Sequence, residues 1–389
     1  MYKIRTYNAI SSKGLNRFSD GDYSVSDTCA DPDAFILRSQ KLHNEEVPDS
    51  LLAVARAGAG VNNIPVEDYT QQGIVVFNTP GANANAVKEL IVAGLLLGSR
   101  DIYGGMNYVQ ALDDMDDGVA MGKLLEKEKK RFAGTEISGK TLGVVGLGAI
   151  GSIIANLGLE LGMDVIGYDP AISVEAAWQL SSRVERMENL DALLARADFI
   201  TLHVPAIPAT KHLINAKTLR GMKSSAKILN FAREEIVSTE DMISALDAGV
   251  IAGYVSDFPA PGLIGRSDVL LMPHIGASTA EAEENCAVMA ANQLKDFLRN
   301  GNIYNSVNYP STKMGRNGGS RITFSNNNVP KVLGNVLSIL ADANLNVVDM
   351  VNKSRGEIAY NIIDVEGELF EDLRTQISAV DGVMRVRFI

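Results

Sequence analysis

The stretch Thr141–Asp169, TLGVVGLGAIGSIIANLGLELGMDVIGYD, decides how this chain folds. Leu142–Val145 is a short apolar run, as a buried parallel strand requires. Gly146, Gly148 and Gly151 follow in G-x-G-x-x-G spacing. Ser152–Leu161 then reads as a helix, and Asp164–Tyr168 as a second strand that runs into Asp169. Gly146 permits the tight turn, Gly148 lets the backbone approach a pyrophosphate, and Gly151 lets helix and strand pack closely. The free N–H groups at the helix N-terminus suit a diphosphate. Asp169 stands 18 residues after Gly151, where a carboxylate accepts hydrogen bonds from an adenosine ribose. An acid there repels a 2′-phosphate, and Pro170 and Ala171 rather than an arginine follow it. The motif therefore reads as a dinucleotide site for NAD rather than NADP.

Outward from it the chain alternates strands and helices. Downstream strand candidates are Phe199–His203, Lys227–Phe231, Ile251–Ser256 and Val269–Met272, which imply a parallel sheet with helices on both faces. Upstream, Ala34–Leu37, Leu52–Arg56 and Val75–Phe77 are strand-like, and Ala86–Ser99 has a long apolar helix pattern. Asp113–Arg131 is rich in Asp, Glu and Lys and reads as a solvated helix or loop. Thr279–Asn300 reads as one long amphipathic helix, and Asn308–Gly319, with Pro, Ser, Asn and three Gly, as a linker. Beyond it, strands at Arg321–Ser325, Asn346–Val351, Ala359–Asp364 and Arg385–Ile389 interleave with helices at Val332–Ala343 and Glu368–Val380. That order, βαββαβ, is a ferredoxin-like sandwich.

A length of 389 residues implies two or three domains. The net charge of −11 gives no electrostatic footprint for nucleic acid or an anionic membrane. Cys29 and Cys286 are too few for a disulfide framework, and no C-x-x-C or H-E-x-x-H spacing supports a metal site. The N-terminus MYKIRTYNAI has no apolar signal core, so a cytoplasmic location is expected.

Hydride transfer needs a cation on the substrate and an acid/base for the hydroxyl proton. Arg233 follows the buried run Leu229–Phe231, and its planar fork suits a 2-oxo acid. His274, in MPHIG, ends a strand and can shuttle a proton near neutral pH. His203, in LHVP, also ends a strand and is read as lining the cofactor. Asp257 ends Ile251–Ser256 and could bond a nicotinamide carboxamide.

These loops, with GLGAIG, YDP, LNFARE, PHIGAST and RAGAGVNNI, resemble the D-isomer-specific 2-hydroxyacid dehydrogenases over essentially the whole chain. The nearest likeness is to the branch that oxidises 3-phosphoglycerate and carries a C-terminal ACT domain. The resemblance implies an α/β fold. A Rossmann-type NAD domain would span 93–276, with a discontinuous flavodoxin-like substrate domain at 1–92 and 277–307. The linker would be 308–319, and a ferredoxin-like ACT domain would occupy 320–389. It implies Arg233 and His274 as catalytic groups, and Ala149, Ile150, Asp169, Phe231, Ala232, Asp257 and Gly276 around NAD. Gly58 and Ala59 would offer N–H groups to the substrate carboxylate, and Arg38, Ser39 and Asn83 would meet the phosphorylated end. Asn326, Asn328 and Asn346 match positions that bind L-serine as an effector. A homodimer or homotetramer is expected. The implied reaction is oxidation of 3-phospho-D-glycerate, the entry to L-serine synthesis; the alternatives are another 2-hydroxy acid (hydroxypyruvate, glyoxylate, 2-oxoglutarate) or an NAD-sensing regulator with little turnover.

One departure stands out. The family places a Glu in D-V-F-x-x-E-P after the strand-end acid, where it pairs with the histidine. Here the text is Asp257-Phe258-Pro259-Ala260-Pro261-Gly262, one residue short and without the Glu. His274 is therefore expected to titrate lower than in its relatives.

Overall fold

The apolar run of the glycine motif forms strand β6 (Thr141–Val145), and Asp164–Tyr168 forms β7. Around them stand β8 (Glu185–Arg186), β9 (Phe199–Leu202), β10 (Lys227–Asn230), β11 (Gly253–Ser256) and β12 (Val269–Leu271). All are parallel, in the order β12-β11-β10-β9-β6-β7-β8. β9 and β11 are buried along their whole length, and β10 but for Lys227, which is why they read as largely apolar runs. The connections diverge between β6 and β9. The computed structural model describes residues 1–19 and 21–389, and Ala84–Ser278 form one compact unit around this sheet. That boundary lies earlier than the expected residue 93. The helix Ala84–Ser99 packs on β10 and β11, with Gly94 against the ring of Phe231, so it belongs wholly to the nucleotide sheet.

The second unit comprises Met1–Asn83 and Thr279–Ile389. Its first sheet is built of β1 (Tyr2–Thr6), β2 (Tyr23–Ser26), β3 (Ala34–Leu37), β4 (Ala53–Arg56) and β5 (Val75–Phe77). They are parallel in the flavodoxin-like order β2-β1-β3-β4-β5. The helix Ala280–Asn300 starts on the N-cap Thr279 and ends on Gly301, in the left-handed conformation at φ 72°.

The last four strands, β13 (Ser320–Asn327), β14 (Asn346–Arg355), β15 (Ile358–Glu366) and β16 (Val383–Phe388), form an antiparallel sheet ordered β14-β15-β13-β16. With the helices Val332–Asp342 and Glu371–Ser378 this is the ferredoxin-like topology expected. Ile322, Phe324, Ile363 and Val365 pack against those helices. The opposite face, with Tyr360 and Ile362, shares a core with Ala290, Phe297 and Leu298 of the long helix.

The first part of the expected linker 308–319, residues 308–314, is strapped down, while 315–319 are exposed. Tyr309, Thr312 and Met314 are buried, Asn308 bonds Val76, Thr70 and Ile74, and Thr312 pairs with Ile303. Its glycines gave the composition of a linker, but its apolar residues sit against the first sheet and β15. Among the described residues no helix is long and apolar enough to cross a membrane.

Candidate active site

The carboxyl ends of β6, β9, β10, β11 and β12 bring together the glycine loop, His203, Arg233, Asp257 and His274, beside the point where the connections diverge. Gly146 sits at φ 90°, and a Cβ there would lie 2.8 Å from the His203 carbonyl carbon. A Cβ on Gly151 would fall 1.9 Å from the Gly146 oxygen. Gly148 faces open space. The helix Gly151–Glu160 begins at Ile150 with no side-chain cap, leaving N–H groups for an anion. Asp169 accepts from Leu147 N and Ala171 N at 2.8 Å each, so it fixes the glycine loop and keeps lone pairs for ribose hydroxyls. These residues fit a dinucleotide.

His203 hydrogen-bonds Thr201 Oγ1 through Nε2 at 2.9 Å. Burial pushes its imidazole down to about 3, so it is neutral near neutral pH. It forms a wall of the glycine loop. Arg233 is half-buried and donates to the Ala232 carbonyl at 2.6 Å. Its turn is closed by Asn230, a fully buried side chain in an apolar strand. Nδ2 of Asn230 donates to the Arg233 carbonyl at 2.8 Å and to Tyr254 Oη at 3.3 Å, and Oδ1 accepts from Ala232 N at 3.2 Å.

His274 is exposed and adopts φ 57°, uncommon for a residue with a Cβ. Asp257 imposes it. The Asp257 carbonyl accepts from His274 N at 2.9 Å, Oδ1 from Ile275 N at 2.8 Å, and Oδ2 from Gly276 N at 2.7 Å. Three successive N–H groups thus close on one residue that is 1% exposed. The Phe258 ring lies 4.9 Å from the imidazole, and no carboxylate pairs with that ring among the described residues.

In the other unit, Arg38 follows β3, and Asn8, at φ 65°, accepts from the N–H groups of Arg38, Ser39 and Gln40. Thr79 N donates to the Gly58 carbonyl and Asn78 to that of Ala59. The Gly58 N–H is already bonded to the Arg56 carbonyl. Asn83 is half-buried at the end of this segment.

A family model for the D-isomer specific 2-hydroxyacid dehydrogenase NAD binding domain matches residues 105–276. D-3-phosphoglycerate dehydrogenase of Haemophilus influenzae is 32% identical over 356 residues, covering 88% of this chain and 82% of that one. The chain belongs to the D-isomer-specific 2-hydroxyacid dehydrogenases. The Synechocystis protein of the same name is 39% identical over 74% of this chain and 50% of its own length. That of Methanocaldococcus jannaschii is 34% identical over 86% of this chain and 62% of its own length, so the chain spans about half to two thirds of these two relatives. The NAD+-bound 3-phosphoglycerate dehydrogenase structure of Entamoeba histolytica superposes with a TM-score of 0.62 at 25% identity, covering 79% of this chain and 98% of that one. The cofactor that this nucleotide domain takes is NAD.

Two sets of the expected residues have structural commitments of their own. The Phe231 ring is buried against Gly94 and the core of the nucleotide sheet. The three C-terminal asparagines do not converge within one chain. Asn326 lies opposite Ala359 on β15 and Asn346 opposite Glu366, seven residues along, about 23 Å at the usual strand rise. Asn326 is also committed internally: it accepts from Asn361 Nδ2 at 2.7 Å and donates to the Asn327 carbonyl at 2.6 Å. Asn328 and Asn346 remain exposed, bonded to the Gly356 carbonyl and to Glu366.

Sequence reasoning missed Asn230, Asn8 and Arg56. A polar residue closing an apolar strand signals the first, and an Asn in the left-handed region the second. Arg56 opens the RAGAG stretch itself; its Nε donates to the Arg38 carbonyl at 3.0 Å.

Proposed function

We propose that the chain is an NAD-dependent dehydrogenase that interconverts 3-phospho-D-glycerate and 3-phosphohydroxypyruvate, the first step of L-serine synthesis. The observation that carries hydride transfer is the pairing of a cation and an exposed imidazole at carboxyl ends of one nucleotide sheet, each locked by a buried polar side chain. Arg233 polarises the C2 oxygen and anchors the carboxylate, and Asn230 fixes its turn. His274 takes the hydroxyl proton on oxidation and returns it on reduction. NAD, held at the glycine loop and Asp169, would supply the hydride acceptor. Preorganised charge at the developing carbonyl supplies much of the rate. The phosphorylated substrate is supported by Arg38, by Ser39 and Asn83, and by the names of the relatives.

The test is NADH oxidation with 3-phosphohydroxypyruvate beside hydroxypyruvate, from about pH 5.5 to about 9. A strong preference for the phosphorylated acid supports the reading. NADH binding without turnover of either acid favours an NAD-sensing regulator instead. We further propose that residues 320–389 act as an ACT-type effector domain and that the chain assembles as a homodimer or homotetramer. Asn328 and Asn346 are the exposed groups left for L-serine, and a rise in Tm with added L-serine, lost in Asn346→Ala, tests it.

A further inference from the structure

Arg38 is held from both sides. Its backbone is fixed by Asn8, Arg56 and Asn63, and its guanidinium Nη1 meets Glu283 Oε1 at 2.6 Å. Glu283 stands in the first turn of the helix Ala280–Asn300, where the helix dipole favours a negative charge. The Arg56 guanidinium lies over Gly58: a Cβ there would come 2.4 Å from its Nη1. The buried thiol of Cys286, three residues beyond Glu283, feels the charges of Arg38, Arg56 and Glu283. Arg38, Arg56 and the Glu283 carboxylate thus share one edge of the Gly58–Ala59 loop.

We infer that Glu283 is a specificity-determining residue that occupies Arg38 as a resident anion and sets what an incoming anion must outcompete. The inference rests on the phosphorylated substrate proposed above. Both side chains of the pair are partly exposed, 39% and 46%, so the pair is weak and exchangeable. A phosphate dianion offers two oxygens to the arginine fork and displaces the carboxylate. An uncharged hydroxymethyl group does not, and leaves the pair intact. After exchange Glu283 remains beside the dianion, and that like-charge contact holds the affinity for the phosphorylated acid below what Arg38 alone would give.

The test is Glu283→Gln beside Glu284→Gln, which makes the same charge change one residue on, where Glu284 pairs with Lys13. In Glu283→Gln the KM for 3-phosphohydroxypyruvate should fall about three- to tenfold, while that for hydroxypyruvate moves less than about twofold. Inorganic phosphate, titrated calorimetrically into the full chain, should bind more tightly by the same factor. Glu284→Gln should change neither ratio. A higher KM for the phosphorylated acid in Glu283→Gln, equal shifts for both acids, or the same effect in Glu284→Gln would overturn the inference. Wild-type protein that turns over no phosphorylated acid would instead sink the substrate reading, and the phosphate titration still reports on Glu283.

Discussion

Asp257 shows how much of a catalytic loop one buried side chain can hold. Two N–H groups of the His274 loop end on its carboxylate and a third on its backbone carbonyl, and the His274 backbone is held in a conformation that a Cβ disfavours. In Asp257→Asn an amide N–H2 would face one of those donors. We expect kcat to fall about 100-fold, as a displacement of about 1 Å does, with NADH binding followed by fluorescence as the control. Arg38→Ala should raise KM for 3-phosphohydroxypyruvate about tenfold or more and far less for hydroxypyruvate, as steady-state kinetics would show. His203 makes a prediction with a sign. Burial lowers its folded-state pKa from 6.5 to about 3. The unfolded chain therefore binds a proton that the folded chain refuses, so this contribution to stability is full above pH 6.5 and is lost as pH falls from there toward 3. Tm measured against pH should drop less steeply below pH 6.5 in His203→Gln than in wild type.

At the scale of elements, the helix Ala280–Asn300 is the piece to watch. Its last carbonyls have no partners within the helix, and the C-terminal sheet supplies them. Arg387 donates to the carbonyls of Phe297 and Leu298, Arg321 to Asn300, and Tyr360 to Gly301. Arg321 also grips Asp364 with two bonds, at 2.6 and 2.7 Å, and reaches the carbonyls of Met314 and Gly315. Its side chain is 0% exposed and that of Asp364 4%. Removing one member leaves a buried charge alone. Arg321→Met should cost about 3–5 kcal/mol in urea unfolding, and Arg321→Met with Asp364→Leu should recover most of it.

At the scale of the molecule, the antiparallel sheet is part of its unit rather than an appendage. β16 reaches back to the segment before β4, where Arg385 donates to the carbonyls of Asp49 and Leu51. Tyr309 donates to Thr70, and Arg355 to Ser306. Limited proteolysis should therefore leave 308–314 uncut under conditions that nick exposed loops, with any cleavage of the segment falling in the exposed residues 315–319. Early cleavage within 308–314 would show that the docked sheet opens readily.

How much of this was legible depended on where each signal lies. β6, β9, β10 and β11 were readable because strands buried on both faces must be apolar throughout. β1 was not, because only Ile4 of YKIRT is buried, and β8 is two exposed residues. Arg233, His274 and Asp169 were readable because chemistry restricts residue type at a strand end. Asn230, Asn8 and Arg56 were not, since their work is a set of hydrogen bonds to backbone brought close only by the fold. The sequence by itself determined the parallel nucleotide sheet, the NAD motif, the βαββαβ order and the missing Glu, all matters of local spacing. Only the tertiary structure decided that Asp257 holds the His274 loop, that Glu283 sits on Arg38, that Asn326 is spent inside its own sheet, and that the first part of the supposed linker is packed. Each of these depends on contacts between residues far apart in the chain, which periodicity and composition do not encode.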